Sequence, residues 1–125
     1  MIPSQQEAAE HTRVLAAAAD ATRRTPGVAY LRPGFGDLVR GAAVRVRSRA
    51  AQPGTAGRIA GVRAQRVERP PGWDLRIHLA VARGHRALDV TRAVRAAVTT
   101  AVRELTADAT PEPRVNVSIT VTDIV

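Results

Sequence analysis

The sequence predicts a small α+β domain of two layers, with a three- to four-stranded sheet backed by helices. Residues 73–83 and 114–125 alternate apolar and polar side chains with the period of a strand. Residues 89–107 instead place apolar side chains at helical spacing. Because each strand offers one apolar face and each helix one apolar stripe, helices on one side of a sheet bury both. We expect a single domain over residues 1–125, in the order α-β-(loop)-β-β-α-β.

The first half of the chain predicts one helix and one short strand. Ser4 and Glu7 form a capping box that starts a helix near Gln5, and Thr25-Pro26-Gly27 ends it. Residues 27–31, "GVAYL", are typical of a strand. Residues 42–60 mix Arg, Ala, Gly and Pro without a sustained period, which predicts a long, mobile connection.

The second half predicts a hairpin, a helix and a last strand. Strands over 61–68 and 73–83 are joined by a turn at Pro70-Pro71-Gly72. Asp89 starts a helix over about 89–107, and "RVNVSITVTDIV" forms the final strand. The predicted apolar face of that helix consists of Val90, Val94, Ala97, Val98, Ala101 and Leu105.

The segment "PGFGDLVRGAA", residues 33–43, has glycines that suggest a phosphate-binding loop. A P-loop needs Lys and then Ser or Thr after its second glycine, whereas Ala42 and Ala43 follow Gly41. The dinucleotide pattern needs a glycine where Val39 stands. These glycines therefore predict a turn in the backbone and no nucleotide site.

Composition limits the compartment and the partners. Every basic residue is Arg, and the net charge of +8 attracts anions such as lipid head groups or nucleic acid. The chain has no cysteine, no apolar run long enough to span a membrane and no signal-peptide pattern at its start. We expect a cytoplasmic and soluble protein.

The side chains that could carry chemistry do not form a recognisable site. His11, His78 and His85 lack metal-ligand spacing, and no serine or carboxylate pair stands in a catalytic pattern. An enzyme would need His78 beside an acid in a closed pocket. We therefore predict no catalytic residue, no metal and no cofactor, and a protein that is not an enzyme.

Three pieces of the sequence resemble the alkaline shock protein family, also called envelope stress response proteins. They are "TPGV" at 25–28, the hairpin followed by the helical stretch from Val90 to Thr106, and the "VNV" strand at 115–117. The resemblance implies a non-catalytic α+β domain that acts in envelope or alkaline stress tolerance. It also implies self-association and a membrane-anchored protein partner that would place the protein at the inner face of the cytoplasmic membrane.

Two hypotheses for function follow. The first is an envelope-stress protein that self-associates, contacts other proteins and touches anionic lipid weakly. The alternative is a basic nucleic-acid-binding module that holds phosphates with its arginine-rich helix and sheet faces. For either one, the candidate contact surface consists of Arg92, Arg95, Arg103, Arg76 and His78.

Overall fold

The computed structural model describes residues 5–32 and 59–125, and these form the predicted two-layer α+β fold. The helices are α1 and α2, and the strands are β1 to β4 in chain order. Their bounds are α1 Gln5–Arg24, β1 Val28–Leu31, β2 Val62–Glu68, β3 Pro71–Val81, α2 Ala87–Leu105 and β4 Arg114–Ile124. The predicted capping residue Ser4, the glycine segment at 33–43 and residues 42–58 of the predicted connection lie outside the described residues.

Strand β3 is the centre of the sheet. On one side it pairs antiparallel with β2 along its first part and with β1 along its last part. On the other side it pairs in parallel with β4, from Gly72↔Arg114 to Val81↔Ile124. The antiparallel hairpin was predicted from its turn, and the helix between β3 and β4 makes their parallel pairing possible.

The core lies between the helices and one face of the sheet, which we call the inner face. Helix α1 lies over β1 and β2, α2 lies over β4, and the two helices contact each other. The inner-facing side chains of β3 are at most 3% exposed, which confirms the predicted alternation. They are Trp73, Leu75, Ile77, Leu79 and Val81.

Helix α2 buries a different set of side chains from the one predicted. Val90, Val94, Val98 and Val102 are at most 3% exposed, whereas Leu105 is 46% exposed. The buried residues follow one another at intervals of four, so the contact runs along an i, i+4 ridge of the helix. The prediction of Leu105 was wrong because Leu105 and Val102 both fit a helical period of 3.6. Only the direction of the packing ridge determines which of the two is buried.

The hairpin turn is shorter than predicted. Pro71 already pairs with Glu68, so the loop between β2 and β3 consists of Arg69 and Pro70. A proline can begin a strand because its missing N–H is not needed there. Helix α2 likewise begins at Ala87, which places Asp89 inside its first turn.

Candidate functional site

Three of the predicted contact residues form one stripe on α2. With 3.6 residues per turn, Arg92, Arg95 and Arg103 fall within an arc of about 80° on the helix. All three side chains are exposed, while the valine ridge of the same helix faces the core. We call Arg92, Arg95 and Arg103 the arginine stripe.

The arginine stripe is not neutralised by neighbouring acids. Its guanidinium groups make no hydrogen bond or ion pair within residues 5–32 and 59–125. Arginines elsewhere do: Arg24 lies 3.2 Å from Asp20, and Arg32 lies 3.1 Å from Asp123. An arginine that is already paired loses its ion pair when it binds an external anion. Unpaired arginines are therefore best able to bind one.

An exposed apolar side chain lies within the same arc. Leu88, one turn before Arg92, is 60% exposed. A leucine beside cations fits a surface with both an apolar and an anionic part, as at the head groups of a bilayer.

Arg76 and His78 lie on the opposite side of the molecule, on the outer face of the sheet. They alternate with Leu75, Ile77 and Leu79, whose side chains enter the core. The five predicted contact residues therefore fall on two separate surfaces, three on the helix layer and two on the sheet. Alternation along β3 predicts the sheet surface, and the helical period of α2 predicts the arginine stripe. That the two surfaces lie on opposite sides of the molecule depends on how the helix and sheet layers stack.

The environment of Arg76 is polar and basic. Across β2 it faces Arg63, and across β4 it faces Ser118. Like charges directly opposite each other on a sheet disfavour that pairing.

His78 occupies the junction between β1 and β2. Its backbone N–H donates to the Gly61 carbonyl at 2.8 Å, and its carbonyl accepts from the Arg32 N–H at 2.9 Å. The side chain is half-buried, and Nδ1 is buried without a hydrogen-bond partner in the part of the chain that the structure describes. No ion pair joins His78 to a described carboxylate.

The outer face carries one aromatic ring that the sequence analysis missed. Tyr30 pairs with Ala80 in the sheet and is 45% exposed. A register shift between Val28 and Tyr30 turns this side chain to the outer face. Alternation alone does not reveal the shift, so Tyr30 is absent from the predicted contact residues.

The other two histidines have structural positions. His11 Nε2 donates to the Ala64 carbonyl at 2.8 Å, and its ring lies 5.9 Å from that of Trp73. This contact fastens α1 to β2. His85 lies in the exposed turn before α2, against Gly27.

Gly27, in the "TPGV" segment, allows α2 to approach the end of α1. Its φ is +93°, and a Cβ there would lie 2.5 Å from a methyl carbon of Val90. Thr25 is buried, and its hydroxyl donates to the Ala21 carbonyl at 2.9 Å. The "TPGV" segment, which carries part of the resemblance, therefore serves the packing of α1 against α2.

Neither a metal centre nor a membrane span is found in the described ranges. Residues 5–32 and 59–125 hold no cluster of three or more His, Asp or Glu suited to a metal ion. Neither described helix combines the length and apolar character needed to cross a bilayer.

Comparison with known proteins gives no relative from which a function could be transferred. No family model, no curated protein and no solved structure matches the chain. The exposed surfaces of the molecule are therefore the basis for inferring its function.

Proposed function

We propose that this chain is a non-catalytic envelope-stress protein that self-associates and contacts an anionic membrane surface. The observation that carries the proposal is the arginine stripe, which is exposed and unpaired among the described residues. The resemblance to the alkaline shock proteins supports the envelope-stress role. A small membrane-anchored protein would supply the second attachment at the cytoplasmic face.

The expected strength of the lipid contact is modest. Each arginine near an anionic leaflet contributes about 1 kcal/mol, so the stripe supplies about 3 kcal/mol at low salt. Leu88 adds a small apolar contribution if it enters the head-group region. Because the contact is electrostatic and lies at a surface, added salt weakens it.

The test compares two variants of equal net charge in sedimentation with vesicles that contain phosphatidylserine. In the first variant Arg92, Arg95 and Arg103 are replaced by Gln. In the control the exposed α1 residues Arg13, Arg23 and Arg24 are replaced by Gln. We expect the stripe variant to bind about 100-fold more weakly and the α1 variant to keep most of its affinity.

Circular dichroism of both variants checks that the fold is kept. Equal losses in the two variants would mean that net charge alone attracts the protein to lipid, and the role of the stripe would be refuted. Binding to neutral vesicles as strong as to anionic ones would refute the electrostatic contact.

A nucleic-acid-binding module is the second candidate, favoured by the outer face of the sheet. Tyr30 can stack on a base, while Arg76 can meet a phosphate, as in other sheet platforms. One exposed ring is fewer than such platforms commonly use, which makes this candidate the weaker one.

The two candidates separate in a single binding series with single-stranded RNA. Binding through the outer face requires a loss of about 1–3 kcal/mol for Tyr30→Ala, because a stacked base is lost. The triple Gln variant of the arginine stripe serves as the control on the other layer. A loss in the stripe variant without one in Tyr30→Ala would reduce RNA binding to general attraction by charge.

A further inference from the structure

The free edge of β4 is the longest unpaired stretch of backbone among the described strands. β4 pairs with β3 on one side, and no described strand pairs with its other side. It has eleven residues, so its outward N–H and C=O groups present an extended row of donors and acceptors. Such an edge can accept another strand.

The core is also incompletely covered along this edge. The inner-facing side chains Val115, Val117, Ile119 and Val121 remain partly exposed. Their direct neighbours on β3, from Trp73 to Leu79, are at most 3% exposed. One additional strand beside β4 would bury this apolar row.

The edge is uncharged in a strongly basic chain. No charged side chain lies between Val115 and Thr122, although the net charge is +8. Proteins commonly protect free edges with charges, prolines or short strands, and this stretch has no charge or proline. The side chains of this stretch therefore add no charge repulsion of their own where a second copy would meet it.

The ends of β4 favour a second copy in the antiparallel direction. Arg114 lies at one end of the strand and Asp123 at the other. Antiparallel pairing brings each close to the oppositely charged residue of the second copy. A register centred on Ser118 also places Val117 opposite Ile119 and Val115 opposite Val121, so the apolar rows coincide on one face.

We propose that β4 pairs antiparallel with β4 of a second copy, which joins two sheets into one across a twofold axis. This inference rests on the self-association in the proposed function and names the surface responsible. A twofold contact is self-complementary, because each copy contributes the same strand.

The experiment measures the dimer constant of the wild type and its variants by sedimentation equilibrium. Ser118→Glu puts a carboxylate at the centre of the edge, where Arg76 on β3 compensates it within one copy. The control Gln65→Lys puts a charge on β2, where Asp74 on β3 compensates it in the same way. Ser118→Glu lowers the net charge of the chain, so weaker association could not come from general repulsion.

We expect the wild type and Gln65→Lys to dimerise alike and Ser118→Glu to raise the dimer Kd about 100-fold. Ser118→Lys should also be monomeric, and an equimolar mixture with Ser118→Glu should restore the dimer. That rescue requires the two β4 strands to meet each other. It also shows that both variants fold.

Three results would overturn the inference, and they differ in what else they refute. A wild-type dimer that Ser118→Glu leaves unchanged would refute the β4 interface but retain self-association. A wild type that remains monomeric at about 100 µM would refute both, since such a Kd is too weak for a specific dimer. Capture of a strand from another protein in place of a second copy would also refute it. Vesicle binding by the arginine stripe is measured separately and survives each of these results.

Discussion

The two sides of the sheet are built differently. On one side of β3 lie two short strands, β1 with four residues and β2 with seven. On the other side lies β4 alone, with eleven. The β2 strand carries Arg63, Arg66 and Glu68, whereas β4 has no charge from Val115 to Thr122.

The side formed by β1 and β2 is protected against pairing with a further strand. Among the described residues, nothing pairs with the outer side of β4. Strands β1 and β2 meet at His78, whose backbone bonds to Arg32 on one flank and to Gly61 on the other. The end of β1 and the start of β2 therefore flank the same residue. Charge and interruption protect this side in the manner of natural edge strands, and β4 has neither device between Val115 and Val121.

The largest expected effect compares two isoleucines in one row of the sheet. Ile77 on β3 is fully buried, and its direct partner Ile119 on β4 is partly exposed. We expect Ile77→Ala to lower the free energy of unfolding by about 4 kcal/mol and Ile119→Ala by about 1–2 kcal/mol. Urea titration of both variants at low protein concentration measures the difference.

The same two isoleucines, measured at higher protein concentration, test whether a second copy covers β4. If a second copy covers β4, Ile119 becomes buried, and the loss from Ile119→Ala should grow with concentration. The loss from Ile77→Ala reflects burial within one copy and serves as the control. Equal losses from the two substitutions at low concentration would contradict the open β4 side.

The next effect concerns the junction on the interrupted side. Gly61 has a φ of +83°, and a Cβ there would lie 2.9 Å from both the Arg32 nitrogen and the His78 oxygen. Gly61→Ala should therefore cost about 3 kcal/mol, from backbone strain together with a clash against main-chain atoms. Thermal or urea unfolding gives the value.

Gly84 provides the matched control for Gly61. Its φ is +97°, but no atom lies within 4 Å of the position of a Cβ. Gly84→Ala should cost only the conformational part, about 1 kcal/mol. Similar costs at Gly61 and Gly84 would show that β1 and β2 do not depend on a close approach at His78.

Much of this fold was predictable because local periodicity determines which face of an element is apolar. The alternation in β3 and β4 identified the core side chains of both strands. The sequence did not reveal that β4 lies beside β3, since alternation says nothing about which strand is the neighbour. The exposure of Ile119 and its row could not be predicted for the same reason.

The candidate contact residues were predictable one surface at a time. The helical period grouped Arg92, Arg95 and Arg103, and strand alternation grouped Arg76 with His78. The separation of the two groups onto two layers depends on how the helices stack on the sheet. The position of Tyr30 on the same face as the second group depends on a register shift in β1. Neither has a local sequence signal.

The smallest effect concerns the ion pair that connects the two sides across the outer face. Arg32 follows β1 and lies 3.1 Å from Asp123 on β4, and both side chains are 46% exposed. Pairs this exposed contribute at most about 1 kcal/mol, and salt screens them. We expect Asp123→Asn to lower the free energy of unfolding by about 0.5 kcal/mol in dilute buffer and by less in high salt. A double-mutant cycle with Arg32→Gln, followed by urea unfolding, isolates the pair from other effects of each substitution. A coupling energy above about 2 kcal/mol would show that the two sides of the sheet are held together by charge. A small coupling energy would mean that the backbone hydrogen bonds and the buried inner-facing side chains of β3 connect them.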